Sequence, residues 1–264
     1  MNRSTFTALI GAFTGMLATK AFAADSAGSH ATPRSVQRVA MVIYPGMTAL
    51  DMIAPQLIFA VLGNTDVQLV WKDHKTVLSD TGVPIVPTAA FDEVANGLTV
   101  LFVPGGGGPD VYPLMNDPKV VGFLQRVGPS AEYVTSVCTG ALFLGAAGLL
   151  RGYRATTHWV FHDLLATLGA TPVSDRVVVD RNRITGAGVT AGLDFGLRMA
   201  AKLRGDDDAR VLQLLFEYDP QPPFRGGSEA KAGAKVDREA RAAFAPLVAS
   251  AKKNAVIART RLAL

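Results

Sequence analysis

The 264-residue sequence predicts an α/β fold with a mainly parallel central sheet that helices cover on both faces. Short apolar runs rich in β-branched residues alternate with segments of helical spacing along most of the chain. These runs stop at glycine and proline turns, as buried strands do. With 49% hydrophobic residues the chain can bury one large core, so we expect a single main domain with terminal additions.

The first 23 residues have the pattern of a secretory signal peptide. Arg3 supplies a short positive region, residues 5–17 are apolar, and residues 21–23 form an A-x-A cleavage site. The apolar run is shorter than the roughly 20 residues that a membrane-spanning helix needs. Residues 24–35, mostly small and polar, are expected to form a flexible leader. The sequence therefore predicts a periplasmic or secreted bacterial protein without membrane association after cleavage.

Strands alternate with helices from Val36 onward in the first half of the domain. A buried strand stops at a Pro-Gly turn, and Thr48 can cap the helix that follows. A second strand leads into a hairpin-like excursion that glycine and proline interrupt. The ranges expected here are 36–44 (strand), 48–62 (helix), 66–71 (strand), 77–90 (hairpin), 98–103 (strand) and 117–127 (helix).

The second half continues the alternation and ends the domain near residue 220. A strand-like run leads directly into Cys138 and a helix, and short extended pieces lie between the later helices. Beyond the domain, residues 221–235 have the composition of a linker, and residues 236–262 form an amphipathic helix expected to pack on the domain or in a dimer. The ranges expected within the domain are 133–137 (strand), 141–150 (helix), 161–168 (helix), 176–179 (extended), 191–203 (helix) and 208–216 (helix).

Charge and cysteine content narrow the range of partners. The formal net charge is +4, but the basic residues are scattered and no basic run is interleaved with aromatic residues, which argues against a nucleic-acid partner. A single cysteine excludes an internal disulfide, so stability must come from the core.

Cys138 lies where chemistry is expected in such a fold. Ligands bind beyond the carboxyl ends of parallel strands, which draws attention to the loops after Tyr44 and Val103 and to the turn at Cys138. A nucleophile on a tight strand-to-helix turn needs small residues two positions away on each side, and Ser136 and Gly140 satisfy this. The amino end of the following helix would favour the thiolate. The alternative is a buried cysteine that only packs.

Thr139 and the glycine run that follows Val103 are candidates to bind the reacting atoms. The backbone amide of Thr139 could hold a developing negative charge, and its hydroxyl could donate a hydrogen bond. Gly106 and Gly107 could offer further amides, because no side chain blocks close approach. Alternatively, Thr139 is an ordinary first residue of a helix and the glycines are only a turn, which lacks the spacing of a nucleotide-binding loop.

Asp51 and His158 are the titratable candidates near these loops. Asp51 lies in an otherwise apolar stretch after the first strand, where burial would raise its pKa and suit it to proton transfer with the thiol. A solvent-facing Asp51 on a helix is the alternative. We expect His158 to line the substrate site, since nothing in the sequence fixes its position relative to Cys138. His162 could join it in a zinc site, but no third ligand is evident, so no metal is expected.

These residues occur in segments that resemble the ThiJ/PfpI superfamily, which is class I glutamine amidotransferase-like, and within it the isonitrile hydratases. The resemblance runs from about residue 39 to residue 224 and is densest in TSVCTGALFLGAAGLLRGYRATTHW, residues 135–159, and in ITGAGVTAGLDFGL, residues 184–197. It implies a flavodoxin-like three-layer sandwich, usually a homodimer. One departure is Gly107, where a threonine is expected.

The resemblance also implies an activity and roles for three residues. Cys138 would be the nucleophile, Asp51 the acid and base, and Thr139 their polar partner in a lyase that hydrates isonitriles to N-substituted formamides without metal or organic cofactor. One alternative is another cysteine enzyme on this scaffold, an amidase, hydrolase or glyoxalase-like enzyme, although related hydrolases carry histidine directly after the nucleophile. Another is a ligand-binding or redox-sensing module without catalysis.

Overall fold

The computed structural model describes residues 35–108 and 110–264. The expected signal peptide, residues 1–23, and nearly all of the expected leader lie outside the described residues. Within them, no helix is both long enough and apolar enough to cross a membrane.

The centre of the molecule is a seven-stranded sheet in the order β10-β11-β7-β6-β1-β2-β5. Every neighbouring pair is parallel except β10 with β11, so the carboxyl ends of β1, β6, β7 and β11 share one edge of the sheet. Two-stranded sheets pair β3 with β4 and β8 with β9. The strands are β1 (Gln37–Val42), β2 (Thr65–Trp71), β3 (Val77–Leu78), β4 (Pro84–Ile85), β5 (Ala89–Ala90), β6 (Val100–Val103), β7 (Tyr133–Val137), β8 (Arg154–Ala155), β9 (Thr171–Pro172), β10 (Val177–Asp180) and β11 (Arg183–Gly186).

Helices cover both faces of this sheet, which confirms the expected α/β flavodoxin-like sandwich. One layer holds α1, α5 and α6, and the other holds α2, α3 and α8. Short 3-10 turns span Phe91–Glu93, Tyr112–Asn116, Gly128–Ser130 and Trp159–Phe161. The α-helices are α1 (Ala49–Val61), α2 (Pro118–Val127), α3 (Gly140–Ala146), α4 (Leu164–Thr167), α5 (Ala191–Arg204), α6 (Asp206–Leu215), α7 (Glu229–Ala232) and α8 (Ala234–Leu262).

The core explains why the central strands read as continuous apolar runs. Residues 39–42 of β1 and all of β6 are buried, as expected for parallel strands packed on both faces. Aromatic side chains join the sheet to the layers: Phe102 lies 5.5 Å from Phe195 of α5, and Tyr44 stacks on Phe143 of α3 at 5.0 Å between ring centroids. The rings of Tyr44 and Phe143 therefore lie beneath the edge where the strands end.

Three elements differ from the sequence-based expectation. Residues 77–90 contain the expected hairpin, β3 with β4, but Ala89–Ala90 then joins the main sheet as a parallel edge strand. The helix after Cys138 ends at Ala146, because Gly148 adopts a left-handed backbone (φ +80°) that terminates it. The helix expected over residues 161–168 is a 3-10 turn followed by the four-residue α4.

The C-terminal helix α8 packs on the domain through its second half. Buried Ala251, Ala255 and Ala258 allow close approach, and Arg261 donates a hydrogen bond to the carbonyl of Ala146 at the end of α3 (2.7 Å). The Asn116 amide donates to the carbonyl of Asn254 (3.0 Å). These contacts tie the helix to the layer that contains α3.

Candidate active site

Cys138 sits on a sharp turn between β7 and α3. Its φ is +56°, a left-handed backbone that costs a residue other than glycine about 1 kcal/mol or more. Its amide donates to the carbonyls of both Gly186 (3.0 Å) and Ala187 (2.9 Å), which hold the turn. A side chain at Gly140 would lie 2.1 Å from the carbonyl oxygen of Val103, so the turn requires glycine there. The expected sharp strand-to-helix turn at Cys138, the elbow, is present.

Asp51 faces this turn from the first turn of α1 and is completely buried. Its Oδ2 accepts a hydrogen bond from the Gly105 amide (3.0 Å). Its Oδ1 has no hydrogen-bond partner within the described residues, and the Asp51 carboxyl interacts with the Cys138 thiol. Burial raises the pKa of Asp51 from 3.8 to about 7, while the bonds with Cys138 and Gly105 lower it. Asp51 can therefore take up and release a proton near neutral pH.

The resting form of Cys138 is the thiol, contrary to the expectation that the helix amino end would favour the thiolate. Burial first, and then the Asp51 carboxylate, raise the pKa of Cys138 well above its usual value. The amides of Thr139 and Val189 act in the opposite direction by hydrogen bonding to the sulfur. With only 5% of Cys138 exposed, desolvation outweighs the two amides and the seven-residue helix behind them.

Gly105 is the residue on which the elbow and the carboxylate converge. A Cβ at this position would lie 2.6 Å from the Thr139 amide nitrogen, 2.7 Å from Asp51 Oδ2 and 2.7 Å from Cys138 Cβ. These separations are below any normal contact, so the closeness of Asp51 and Cys138 depends on glycine here. The sequence indicated the glycine run, but the candidates chosen from it were Gly106 and Gly107, which follow Gly105.

Thr139, Gly106 and Gly107 lie at the site, but their polar groups are already engaged. The Thr139 hydroxyl accepts a hydrogen bond from the Gly106 amide (3.0 Å) and contacts the Gly106 carbonyl (3.3 Å), so it holds the glycine loop. The Gly107 amide donates to the carbonyl of Gly46 (3.3 Å). The amides nearest the sulfur belong to Thr139 and Val189 instead.

His158 packs against aromatic side chains and Gly188. Its ring packs against Phe244 of α8 at 4.9 Å, and it occupies the space left by the missing side chain of Gly188. Burial lowers the pKa of His158 to about 4, so the ring is neutral at neutral pH. It lines a cavity of about 900 Å³ with Trp159 and His162. Within the described residues, no three histidine, cysteine or acidic side chains cluster closely enough to hold a metal ion.

Several neighbours of Cys138 were not expected from the sequence. The Thr157 hydroxyl donates to the Cys138 carbonyl (2.8 Å), and buried Tyr44 donates to the carbonyl of Pro104 (2.7 Å), which precedes Gly105. The loop after β11 supplies the Val189 amide. The sequence did contain a signal for the loop after β11, because that strand ends in a glycine-rich turn at the same edge of the sheet. For Thr157 and Tyr44 we find none.

Comparisons with known proteins agree with this fold. The model of the DJ-1/PfpI family matches residues 37–202. The chain is 49% identical over 209 residues to the isonitrile hydratase of Pseudomonas putida, covering 79% of this chain and 90% of that protein. The crystal structure of a ThiJ/PfpI family protein from Pseudomonas syringae superposes with a TM-score of 0.81 at 45% identity, covering 87% of this chain and 99% of the other.

A regulator shares part of the same domain. The chain is 32% identical over 151 residues to the HTH-type transcriptional regulator GbdR of Pseudomonas aeruginosa, which covers 56% of this chain and 40% of that protein. This likeness concerns less than half of the regulator's length.

The expected periplasmic or secreted location is wrong. It was inferred from the first 23 residues alone, and the likeness of the rest of the chain to the isonitrile hydratase and to the DJ-1/PfpI proteins speaks against it. The parallel sheet, the elbow at Cys138 and the match over residues 37–202 lead to one assignment. The chain belongs to the DJ-1/PfpI family.

Proposed function

We propose that this chain is a lyase that hydrates isonitriles to N-substituted formamides through Cys138. The observation that carries the proposal is the buried pair of Asp51 and Cys138, whose side chains converge at Gly105. The 49% identity to an isonitrile hydratase over most of both chains supports the choice of substrate class. Thr139 and Gly105 contribute by holding the pair together.

The reaction needs one proton to move within this pair. Asp51 accepts the proton of the Cys138 thiol as the sulfur bonds to the terminal isonitrile carbon, and then delivers that proton to the same carbon. The product is a thioimidate, R–N=CH–S–Cys138. Water adds across the C=N bond, placing hydroxyl on carbon and hydrogen on nitrogen. The C–S bond then breaks, the hydroxyl loses its proton, and the formamide leaves while Cys138 regains a thiol through Asp51.

The residues near the sulfur suit the charges that appear during these steps. Negative charge develops on sulfur as the thiol ionises, and the amides of Thr139 and Val189 already face it. Because the site is buried, these hydrogen bonds are stronger than they would be in water. Neutral His158 lines the neighbouring cavity, where we propose that it contacts the substrate.

The direct test incubates the purified chain with a panel of alkyl and aryl isonitriles and measures formamide by NMR. We expect turnover in the wild type and none in a folded Cys138→Ala variant. Absence of formamide across the panel, with folding intact and the thiol reduced, would overturn the proposed activity. Undiminished turnover in Cys138→Ala would overturn the role of the cysteine.

We also propose that the protein is a homodimer formed through α1. Leu50, Ile53 and Leu57 are 48%, 45% and 41% exposed on this helix, and a two-fold axis would pair this surface with its own copy. Light scattering after gel filtration should give twice the chain mass for the wild type, and Ile53→Asp should shift it toward the monomer. A wild-type monomer at micromolar concentration would contradict the proposal.

A further inference from the structure

The cavity that His158 and Trp159 line lies beside the elbow. Three of its lining residues also contact Cys138: Thr157 donates to its carbonyl (2.8 Å), Ala187 accepts from its amide (2.9 Å), and the Val189 amide bonds to its sulfur. A single layer of residues therefore separates Cys138 from this cavity. Its volume, about 900 Å³, is near the upper end of the range for small-molecule sites and far exceeds what a small alkyl isonitrile fills.

The outer wall of the cavity comes from a part of the chain beyond the family match. The DJ-1/PfpI model ends at residue 202, whereas the wall is formed within residues 222–231. Phe224 in this wall is 82% exposed, an unusual state for a phenylalanine, and Trp159 faces the cavity from the inner wall. The two walls together present aromatic surfaces on which a planar apolar group can pack.

The charges that line the cavity are not balanced. Arg176 is paired with Asp194 (2.6 Å), and Glu229 is paired with Arg241. Arg225 and Lys231 have no ion-pair partner among the residues that the structure describes, and the lining acid that also has none is Asp175. Two cationic side chains and one acidic side chain of the described lining therefore lack an ion-pair partner. Both cations lie in the same outer wall as Phe224.

We infer that this cavity binds the substituent of the substrate, and that the preferred substituent is an aromatic group carrying a carboxylate. The inference rests on the proposed function, since it names the class of isonitrile that the same site takes. The ring packs between the aromatic walls, the isonitrile carbon points to Cys138, and the carboxylate faces Arg225 and Lys231.

A matched pair of substrates tests this preference. We would measure kcat and KM for 4-isocyanobenzoate and for 4-methylphenyl isonitrile, which differ in charge but little in shape. The wild type should have a KM for the carboxylate about fivefold lower or better, and the double variant R225Q/K231Q should remove this advantage without changing KM for the neutral compound. Added salt should also reduce the difference in KM between the two substrates. Lys253→Gln, an exposed lysine of α8 outside the cavity, is the matched control.

A binding measurement separates failure of this inference from failure of the proposed function. Calorimetry with a Cys138→Ser variant would compare 4-formamidobenzoate with N-(4-methylphenyl)formamide, which requires no turnover. One outcome is that 4-formamidobenzoate binds more tightly than the neutral formamide, that R225Q/K231Q abolishes this difference, and that no isonitrile is hydrated. This outcome would support the anion site and overturn the proposed activity. Turnover with equal KM for both substrates, or equal losses in Lys253→Gln, would overturn the anion site and leave the activity standing.

Discussion

Replacing Asp51 by asparagine should inactivate the protein and stabilise it at the same time. A pKa raised from 3.8 to about 7 means that ionising Asp51 costs about 4 kcal/mol more in the folded chain than in the unfolded chain. Asparagine carries no charge, and its side-chain oxygen can still accept a hydrogen bond from the Gly105 amide. At pH 8 the variant should therefore gain up to about 4 kcal/mol of unfolding free energy, while losing the proton transfer that contributes about 10² to 10⁴ in rate.

The pH dependence of this gain identifies its cause. The cost of the carboxylate accumulates as pH rises from the unfolded pKa to the folded pKa, so the wild type is penalised fully above about pH 7 and very little below pH 4. Urea unfolding should show a gain in Asp51→Asn at pH 8 that falls by more than half at pH 5. Asp66→Asn, at an exposed carboxylate of β2, should change neither stability nor activity. A variant no more stable than the wild type at pH 8 would refute the account of a desolvated Asp51.

Three further predictions concern Gly105, the ionisation of Asp51 and the cap of α2. Gly105→Ala should lower the free energy of unfolding by about 1–3 kcal/mol and kcat/KM by at least about tenfold, because its Cβ would lie 2.6 Å from the Thr139 amide nitrogen. In the same urea unfolding experiments the control Gly122→Ala, at an exposed position of α2, should stabilise the protein by up to about 1 kcal/mol. The kcat/KM should rise with pH through about 7, since Asp51 must be ionised to accept the thiol proton, and a flat profile from pH 5 to 8 would contradict this. Asp117→Ala should lower unfolding free energy by about 1–2 kcal/mol in urea, because it removes the cap on two amides of α2 and the pair with Lys72 (2.5 Å), and activity at saturating substrate should not change.

Much of the fold followed from the sequence because the information was local. The small residues flanking Cys138 predicted its turn, since the crowding at Gly140 arises within one strand, one turn and one helix. Asp51 was expected near the thiol because both lie at carboxyl ends of parallel strands, and topology alone brings those ends together. The family resemblance, borne out by the match over residues 37–202, extended these local inferences to a specific fold.

The remainder depended on contacts between residues far apart in the chain. The ionisation of Cys138 was misjudged because the depth of its burial depends on how several loops close over the sulfur, which no single segment encodes. The engagement of the Gly106 amide by Thr139 depends on the register of one loop against another. The cavity wall was missed because residues 222–231 have the composition of a linker, and their place at the cavity depends on where α8 docks.

The burial of the one thiol in the chain makes chemical labelling unusually informative. Because Cys138 is the single cysteine of the sequence, every covalent thiol adduct on a folded molecule reports this site and no other. Intact-mass analysis after unfolding in iodoacetamide thus counts the reduced molecules in a preparation, and the unlabelled remainder measures the oxidised fraction. With 5% of the residue exposed, a bulky maleimide must wait for the loops to open, so the ratio of its labelling rate to that of a small reagent measures how often the site opens.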